Sequence, residues 1–408
     1  MLEFSRWLAK HGIKVTFVNT EFNHKRILKS LSESDNIQEV LTMVSIPDGM
    51  EPWEDRRDLA KITEAIFRVP PVELESLIEK INREEGGDKI TCVVADATMA
   101  WALEVAEKLE IKRAAFWTAA AVVLAVSLNI PKLISDGIMD GDGRILKDQM
   151  VQLSPTIPPM KSTNFFWAVI GDEATCKIYF DTLIKTIISV ESADWVICNS
   201  SYDLEPGTFS LYPDFLSIGP LLATNRLGKS AGYFWSEDSA CLAWLDQQPT
   251  NSVIYAAFGS CTMFDQAQFE EVALGLELTN RPFMWVVRQD MIADVDYAYP
   301  KGFRDRVHNR GLIVSWAPQQ QVLSHPSVRL LHKPLRLEFT TEGVGLRLCK
   351  DENGIIRKEE INDKLEHLLG DKGYKERALN LQAKTMGSIR GGSSHKNFNK
   401  FIEWIKDI

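Results

Sequence analysis

Several features are missing from this sequence of 408 residues, and each absence removes a class of function. The six cysteines (Cys92, Cys176, Cys198, Cys241, Cys261 and Cys349) form no Cys-x-x-Cys pair and no His/Cys cluster at metal-ligand spacing. That argues against a zinc module or a disulfide scaffold and fits reduced thiols in a cytoplasmic protein. No Gly-x-Gly-x-x-Gly fingerprint occurs, so a nicotinamide or flavin oxidoreductase loses its main support. With 46 Lys and Arg against 56 Asp and Glu, the formal charge is −10, and no dense basic block stands out. Nucleic acid and anionic membrane surfaces both demand a clustered positive field, so a small molecule is the expected partner. Glu3, Arg6, Lys10, His11 and Lys14 interrupt the first twenty residues, which therefore contain no apolar export region. The longest apolar stretch, 114–130, includes Thr118, Ser127 and Asn129 and is short for a membrane span; it reads as a buried helix. Internal repeats and low-complexity tracts are also lacking.

What is present is ordinary globular composition, 45% hydrophobic and 25% charged, in a chain long enough for two domains. In the first half, short β-branched runs alternate with amphipathic stretches, a pattern that predicts a parallel sheet covered on both faces. The runs Lys14-Val-Thr-Phe-Val-Asn19, Thr91-Cys-Val-Val-Ala-Asp96 and Trp195-Val-Ile-Cys-Asn199 each end in a polar residue, where open α/β sheets place ligands. Residues 58–83 and 100–109 carry helical spacing. A stretch of small and polar residues follows, and the alternation restarts with a strand running into a small-residue turn at 252–260, strands at 283–288 and 311–316 and a helix at 265–278. Three helices, at 359–370, 374–389 and 395–408, close the chain. The expected architecture is α/β, two facing Rossmann-like layers, with a first domain at 1–222, a linker at 223–238, a second domain at 239–390 and a terminal helix at 391–408 packing back on the first.

Trp316-Ala-Pro-Gln-Gln-Gln-Val-Leu-Ser-His-Pro-Ser-Val328 resembles the opening of the sugar-nucleotide signature box of the plant UDP-glycosyltransferases, an inverting, two-domain family of the GT-B type. Phe258-Gly-Ser260, Asn280-Arg-Pro-Phe-Met-Trp-Val-Val-Arg288, Val94-Ala-Asp96 and Gly391-Gly-Ser-Ser-His-Lys-Asn397 extend the resemblance over nearly the whole chain. It implies that Trp316 stacks on uracil, Ala317 offers backbone groups to the base edge, Gln319 reaches the ribose and Ser260 helps hold the diphosphate. It also implies that Asp96 orients a catalytic histidine, which takes the acceptor's hydroxyl proton as the sugar is displaced with inversion. UDP-sugar is then a co-substrate; no cofactor and no metal are required, and the expected state is a monomer. Taken alone, Trp316 also suits a packed strand end, and Asp96 suits an N-cap on the following helix.

Two departures from the family pattern stand out. The resemblance places the catalytic histidine in a loop ahead of the helix that residues 2–12 match, so the expectation is a chain truncated at its amino end, without the first strand or that histidine. His11 and His24 do not occupy the matching place and are expected to cap or face solvent. After Val328 the family continues with an apolar strand and His-Cys-Gly-Trp-Asn-Ser, which grips the diphosphate. Here the chain reads Leu330-Leu-His-Lys-Pro-Leu-Arg-Leu-Glu-Phe339. Those residues can be encoded as TTG CTT CAT AAG CCA CTG CGG TTG GAA TTC, which one nucleotide later reads Cys-Phe-Ile-Ser-His-Cys-Gly-Trp-Asn, the mark of a shifted frame. The register returns near 340–344, which places Glu342 at the family's ribose-binding glutamate. Residues after Gly345 resume further along the family pattern, so the second domain is expected to be incomplete. His332, Lys333 and Arg336 add charge but no oriented amides.

Loops around Phe116, Trp117, 157–166 and Trp167 are the expected lining of the acceptor pocket, for a small hydrophobic plant metabolite. The function expected is transfer of a sugar, glucose, to a hydroxyl or carboxyl of such a molecule, impaired in this chain. The alternative is a non-catalytic remnant that binds small molecules or partners.

Overall fold

β-branched runs bounded by amphipathic helices bury both faces of a sheet only if helices cover each side, and the chain does this twice. The computed structural model describes residues 1–30, 40–221, 238, 240–259, 262–292, 294–295, 298–332, 346 and 348–408. Two units result, one made of Met1–Lys29, Asn36–Ala223 and Leu381–Ile408, the other of Thr224–Asn380 with Ser30–Asp35. Of the expected linker at 223–238, only residue 238 lies among the described residues.

In the first unit, β1 (Thr16–Thr20) pairs in parallel with β2 (Thr42–Ile46). A second parallel group runs β3 (Cys92–Asp96), β4 (Lys112–Trp117), β5 (Trp195–Cys198) and β6 (Phe215–Ser217). Residues of β4 alternate between two cores. Ala114 and Phe116 meet Phe4 and Leu8 of α1 (Leu2–Lys10), while Ala115 and Trp117 meet Trp101, Leu103 and Leu124. The terminal helix, Ser393–Lys406, buries Phe398, Phe401 and Ile402 on the α1 side of this sheet. Each such burial contributes roughly 1.5–3 kcal/mol. Polar anchors fix its angle: Ser394 Oγ donates to the Gly219 carbonyl at 2.8 Å and Asn397 Nδ2 to the Ser217 carbonyl at 2.9 Å.

One expectation needs correction here. The apolar stretch 114–130 is not one helix: its first residues complete β4, and α2 (Ala121–Leu128) starts after a break. A continuous apolar run looks the same in a central strand and a buried helix, so periodicity had nothing to separate them. The break is held by Trp117 Nε1, which donates to the Ala120 carbonyl at 2.8 Å. The helical spacing of 58–83 is that of two helices, Leu59–Arg68 capped by Asp58 and Pro70–Arg83, because proline cannot continue a helix but starts one well. The strands expected at 283–288 and 311–316 end early, at Val286 and Val314, and the strand that starts the 252–260 run ends at Ala257, ahead of the turn at Gly259.

In the second unit the order is β9 (Gly311–Val314), β8 (Phe283–Val286), β7 (Val253–Ala257), β10 (Val328–His332), all parallel. The strand expected after Val328 therefore forms from the substituted residues, with a register shift between Val328 and Leu330. On one face, α3 (Gln266–Leu278), capped by Asp265, packs on α4 (Lys358–Gly370). Phe269, Trp285 and Phe303 fill the core beneath them with Tyr299 against it.

Candidate functional site

Asp96 is the last residue of β3, at the carboxyl end of the first unit's sheet. Its Oδ1 accepts from Thr98 N at 3.0 Å and Thr98 Oγ1 at 2.7 Å, while Oδ2 accepts from Thr118 Oγ1 at 3.4 Å. Capping is thus one role of Asp96, and the half-buried carboxylate is also held by the turn that follows β4. Glu205 fixes that turn from below by accepting from the backbone amides of Ala121 (2.9 Å) and Val122 (2.8 Å), and from Ser200 Oγ. Such a carboxylate at a helix start satisfies orphan amides and complements the helix dipole. Neither Glu205 nor Tyr179 was singled out from the sequence. Tyr179, on Glu173–Glu191, lies near Asp96, and its phenol is pushed up first by burial and then by the Asp96 charge. Only helical spacing marked Tyr179 in sequence, and that signal cannot choose which strand end a helix covers.

The histidines lie elsewhere. His11 Nδ1 is 2.7 Å from the Trp7 carbonyl and its ring meets Phe398 edge-on, so His11 terminates α1. His24 is in the helix Glu21–Ser30. Among the described residues, no histidine is hydrogen-bonded to Asp96, whose partners are Thr98 and Thr118.

Most of the aromatic residues expected to line an acceptor pocket are core. Phe116 stacks on Phe4 with centroids 4.8 Å apart, Trp117 joins the opposite core, and Phe165, Trp167 and Ile157 are also buried. Phe166 differs, being half-buried and packed edge-on against Tyr179 at 5.9 Å.

In the second unit, Trp316 follows β9 and is half-buried, and its carbonyl accepts from the Asp238 amide at 3.1 Å. Ala317 turns its methyl into the core beside Val314 and Val322, which leaves its backbone as the part able to meet a ligand. Gln319 is exposed at the first position of the short helix Gln319–Ser324. Beyond that helix, His325 Nε2 is 3.1 Å from Asp246 Oδ1, and its Nδ1 lies 2.8 Å from Ser327 Oγ and accepts from Ser327 N at 3.2 Å, fixing the entry to β10. Phe258 is buried after β7, and Gly259 follows with φ of 72°, a left-handed turn that glycine adopts without strain. Ser260 and Glu342, together with Lys333 and Arg336, lie outside the described residues. The guanidinium of Arg288 is 2% exposed and donates to the Gly259 carbonyl, to the Thr262 carbonyl at 3.0 Å and to Asp290 Oδ1 at 2.8 Å. Trp316, Ala317 and Gln319 thus gather at the carboxyl end of one parallel strand and the Gly259 turn at that of another, the end at which open α/β sheets bind ligands.

No group of three or more His, Cys, Asp or Glu among the described residues could hold a metal ion. Nor is any described helix long and apolar enough to cross a membrane.

No protein-family model matches the chain. Over 444 aligned residues it is 38% identical to UDP-glycosyltransferase 83A1 of Arabidopsis thaliana, covering 100% of this chain and 93% of that protein. It is 28% identical to the 7-deoxyloganetin glucosyltransferase of Gardenia jasminoides, covering 99% of this chain and 94% of that one. Among solved structures, Os79 from O. sativa in complex with UDP superposes with a TM-score of 0.80 at 24% identity, covering 98% and 96% of the two chains. A UDP-glucose: anthocyanidin 3-O-glucosyltransferase in complex with UDP gives 0.77 at 21% identity, covering 100% and 96%. These solved structures share the two-domain α/β fold of the GT-B type.

Proposed function

The chain belongs to the plant UDP-glycosyltransferase family, and on that premise we propose that it binds a UDP-sugar, UDP-glucose, and descends from enzymes that transfer the sugar with inversion to a hydroxyl or carboxyl of a small hydrophobic plant metabolite. One observation carries the proposal. Trp316, Ala317 and Gln319 sit together just beyond β9, with an aromatic side chain, backbone groups and an exposed amide in the order a nucleoside needs. Stacking of uracil on Trp316 contributes about 1–3 kcal/mol, by analogy with base stacking on aromatic side chains elsewhere. Ala317 takes the base edge through its backbone, and Gln319 and Glu342 take the ribose. Ser260 takes the diphosphate beside the Gly259 turn. The glucosyltransferase names and UDP complexes of the relatives support the donor class.

In the transfer, the acceptor oxygen forms a bond to the anomeric carbon as the bond to the UDP oxygen breaks, and the acceptor's proton must leave to a base. Asp96 is placed to orient such a base and to stabilise it once protonated. Its described partners are two threonines, and on this ground we propose that the 408-residue chain turns over slowly. The alternative, a non-catalytic binder of the family's ligands, rests on the same observation.

Melting the protein with and without UDP tests the donor site. UDP is expected to raise the melting temperature of the wild type and not that of Trp316→Ala. The same thermal response to UDP in both proteins would reject the stacking role. UDP release measured with UDP-glucose and a phenolic acceptor then separates a slow transferase from a binder.

A further inference from the structure

Asn353-Gly354 is the only Asn-Gly pair in the sequence, and both of its residues are exposed on the second unit. Glycine puts no side chain in the way of its own backbone nitrogen, so that nitrogen can reach the side-chain carbonyl of the asparagine before it. Gly354 has φ of 77°, and a Cβ added to it would meet nothing within 4 Å among the described residues. Asp351 organises the turn that carries the pair. Its carbonyl accepts from Gly354 N at 3.0 Å, its Oδ1 accepts from the amides of Asn353 and Ile355 at 2.9 Å each, and its own amide donates to the Ile355 carbonyl at 2.8 Å. Asp351 Oδ2 accepts from Arg357 Nε at 2.6 Å, and Arg357 Nη1 donates to Glu271 Oε1 of α3 at 3.3 Å. The other Glu271 oxygen accepts from the amide of Lys358, the first residue of α4, at 2.6 Å. The turn is thereby tied to both helices that cover this face of the second sheet.

We propose that Asn353 is a modification site, converted without an enzyme to aspartate and isoaspartate, and that Asp351 gates the conversion by keeping the turn closed. In the reaction the Gly354 nitrogen bonds to Cγ of Asn353, and the side-chain nitrogen leaves as ammonia, taking with it the proton of the Gly354 amide. Water then opens the resulting succinimide ring at either carbonyl, which yields aspartate by one route and isoaspartate by the other. In the closed turn the Gly354 amide proton is donated to Asp351 and the backbone on both sides is fixed, so the nitrogen must first be released. Both products add a carboxylate next in line to Asp351 and Glu352, and isoaspartate also lengthens the backbone by one methylene inside the turn. The site is separate from the nucleotide site and does not depend on it.

The test ages the full chain under mildly alkaline conditions and measures isoaspartate at position 353 by peptide mapping and enzymatic methyl labelling. In the native wild type it is expected to form at least about tenfold more slowly than in the same chain unfolded in urea, because the open turn is a minor state. Asp351→Ala removes the acceptor of two amides and is expected to raise the native rate about tenfold. Asp351→Asn is expected to raise it less, since its amide oxygen still accepts both. Arg357→Met keeps the bonds within the turn but frees Asp351 from its cation; it is expected to speed the reaction severalfold, and it decides the matter if Asp351→Ala does not fold. Formation in the native wild type as fast as in urea, no isoaspartate at 353 in the unfolded chain, or rates in the folded variants equal to that of the wild type would each overturn the proposal.

Discussion

Arg288, which follows β8, donates a hydrogen bond to the carbonyl of Gly259, which follows β7. A buried guanidinium here joins the loops at the ends of two adjacent strands, and its charge is compensated by Asp290 at 2.8 Å and by the Thr262 carbonyl at 3.0 Å. Two carbonyls and a carboxylate around one planar fork leave little freedom to the turn leading into Ser260.

Replacing this side chain by Met would leave those carbonyls without a partner. Arg288→Met is expected to lower stability by about 1–3 kcal/mol, read from the denaturant midpoint. Because the turn precedes the residue assigned to the diphosphate, calorimetric titration is expected to show UDP affinity falling more than uridine affinity. Equal losses would detach Arg288 from the diphosphate.

Asp96→Ala removes the acceptor for Thr98 and is expected to destabilise by about 1 kcal/mol, with Asp96→Asn costing less because its amide oxygen still caps. The Asn variant also deletes the charge that helps raise the Tyr179 phenol pKa. That pKa is expected to fall while burial, the larger cause, keeps it above the ordinary value. Tyrosine ring carbon NMR shifts against pH measure this, and an unchanged Tyr179 titration would place the two groups apart.

Acid stability follows from Glu277, whose carboxyl is held below its ordinary range first by the hydrogen bond from Arg306. The folded state therefore takes up this proton at lower pH than the unfolded chain does. The contribution is full above the ordinary glutamate range and is lost as pH falls through the depressed folded value. Urea midpoints between pH 7 and pH 3 should drop less steeply in Glu277→Gln than in the wild type. Parallel slopes would show that the pair with Arg306 adds nothing.

In α3, a helical glycine faces α4. A Cβ added at Gly275 would stand 2.9 Å from Cβ and Cγ2 of Ile361, closer than real contacts allow. Alanine ordinarily gains about 1 kcal/mol over glycine in a helix. Overpacking costs about 1–3 kcal/mol, so Gly275→Ala is expected to lower the melting temperature, and Gly275→Ala with Ile361→Val to recover part of it. A rise in the single variant would mean that the two helices separate freely.

Sequence alone determined the class of fold, because alternating buried runs and amphipathic stretches have few packings; Asp96 stood out as the polar end of a strand, and the family resemblance singled out Trp316, Ala317 and Gln319. Periodicity could not decide whether 114–130 was a strand or a helix, since both bury every side chain there. Glu205 and Tyr179, and the part Arg288 plays at the Gly259 turn, emerged only in three dimensions. Their partners Ala121, Asp96 and Gly259 lie far away along the chain, and a hydrogen bond or a Coulomb interaction depends on distance in space rather than on separation in sequence.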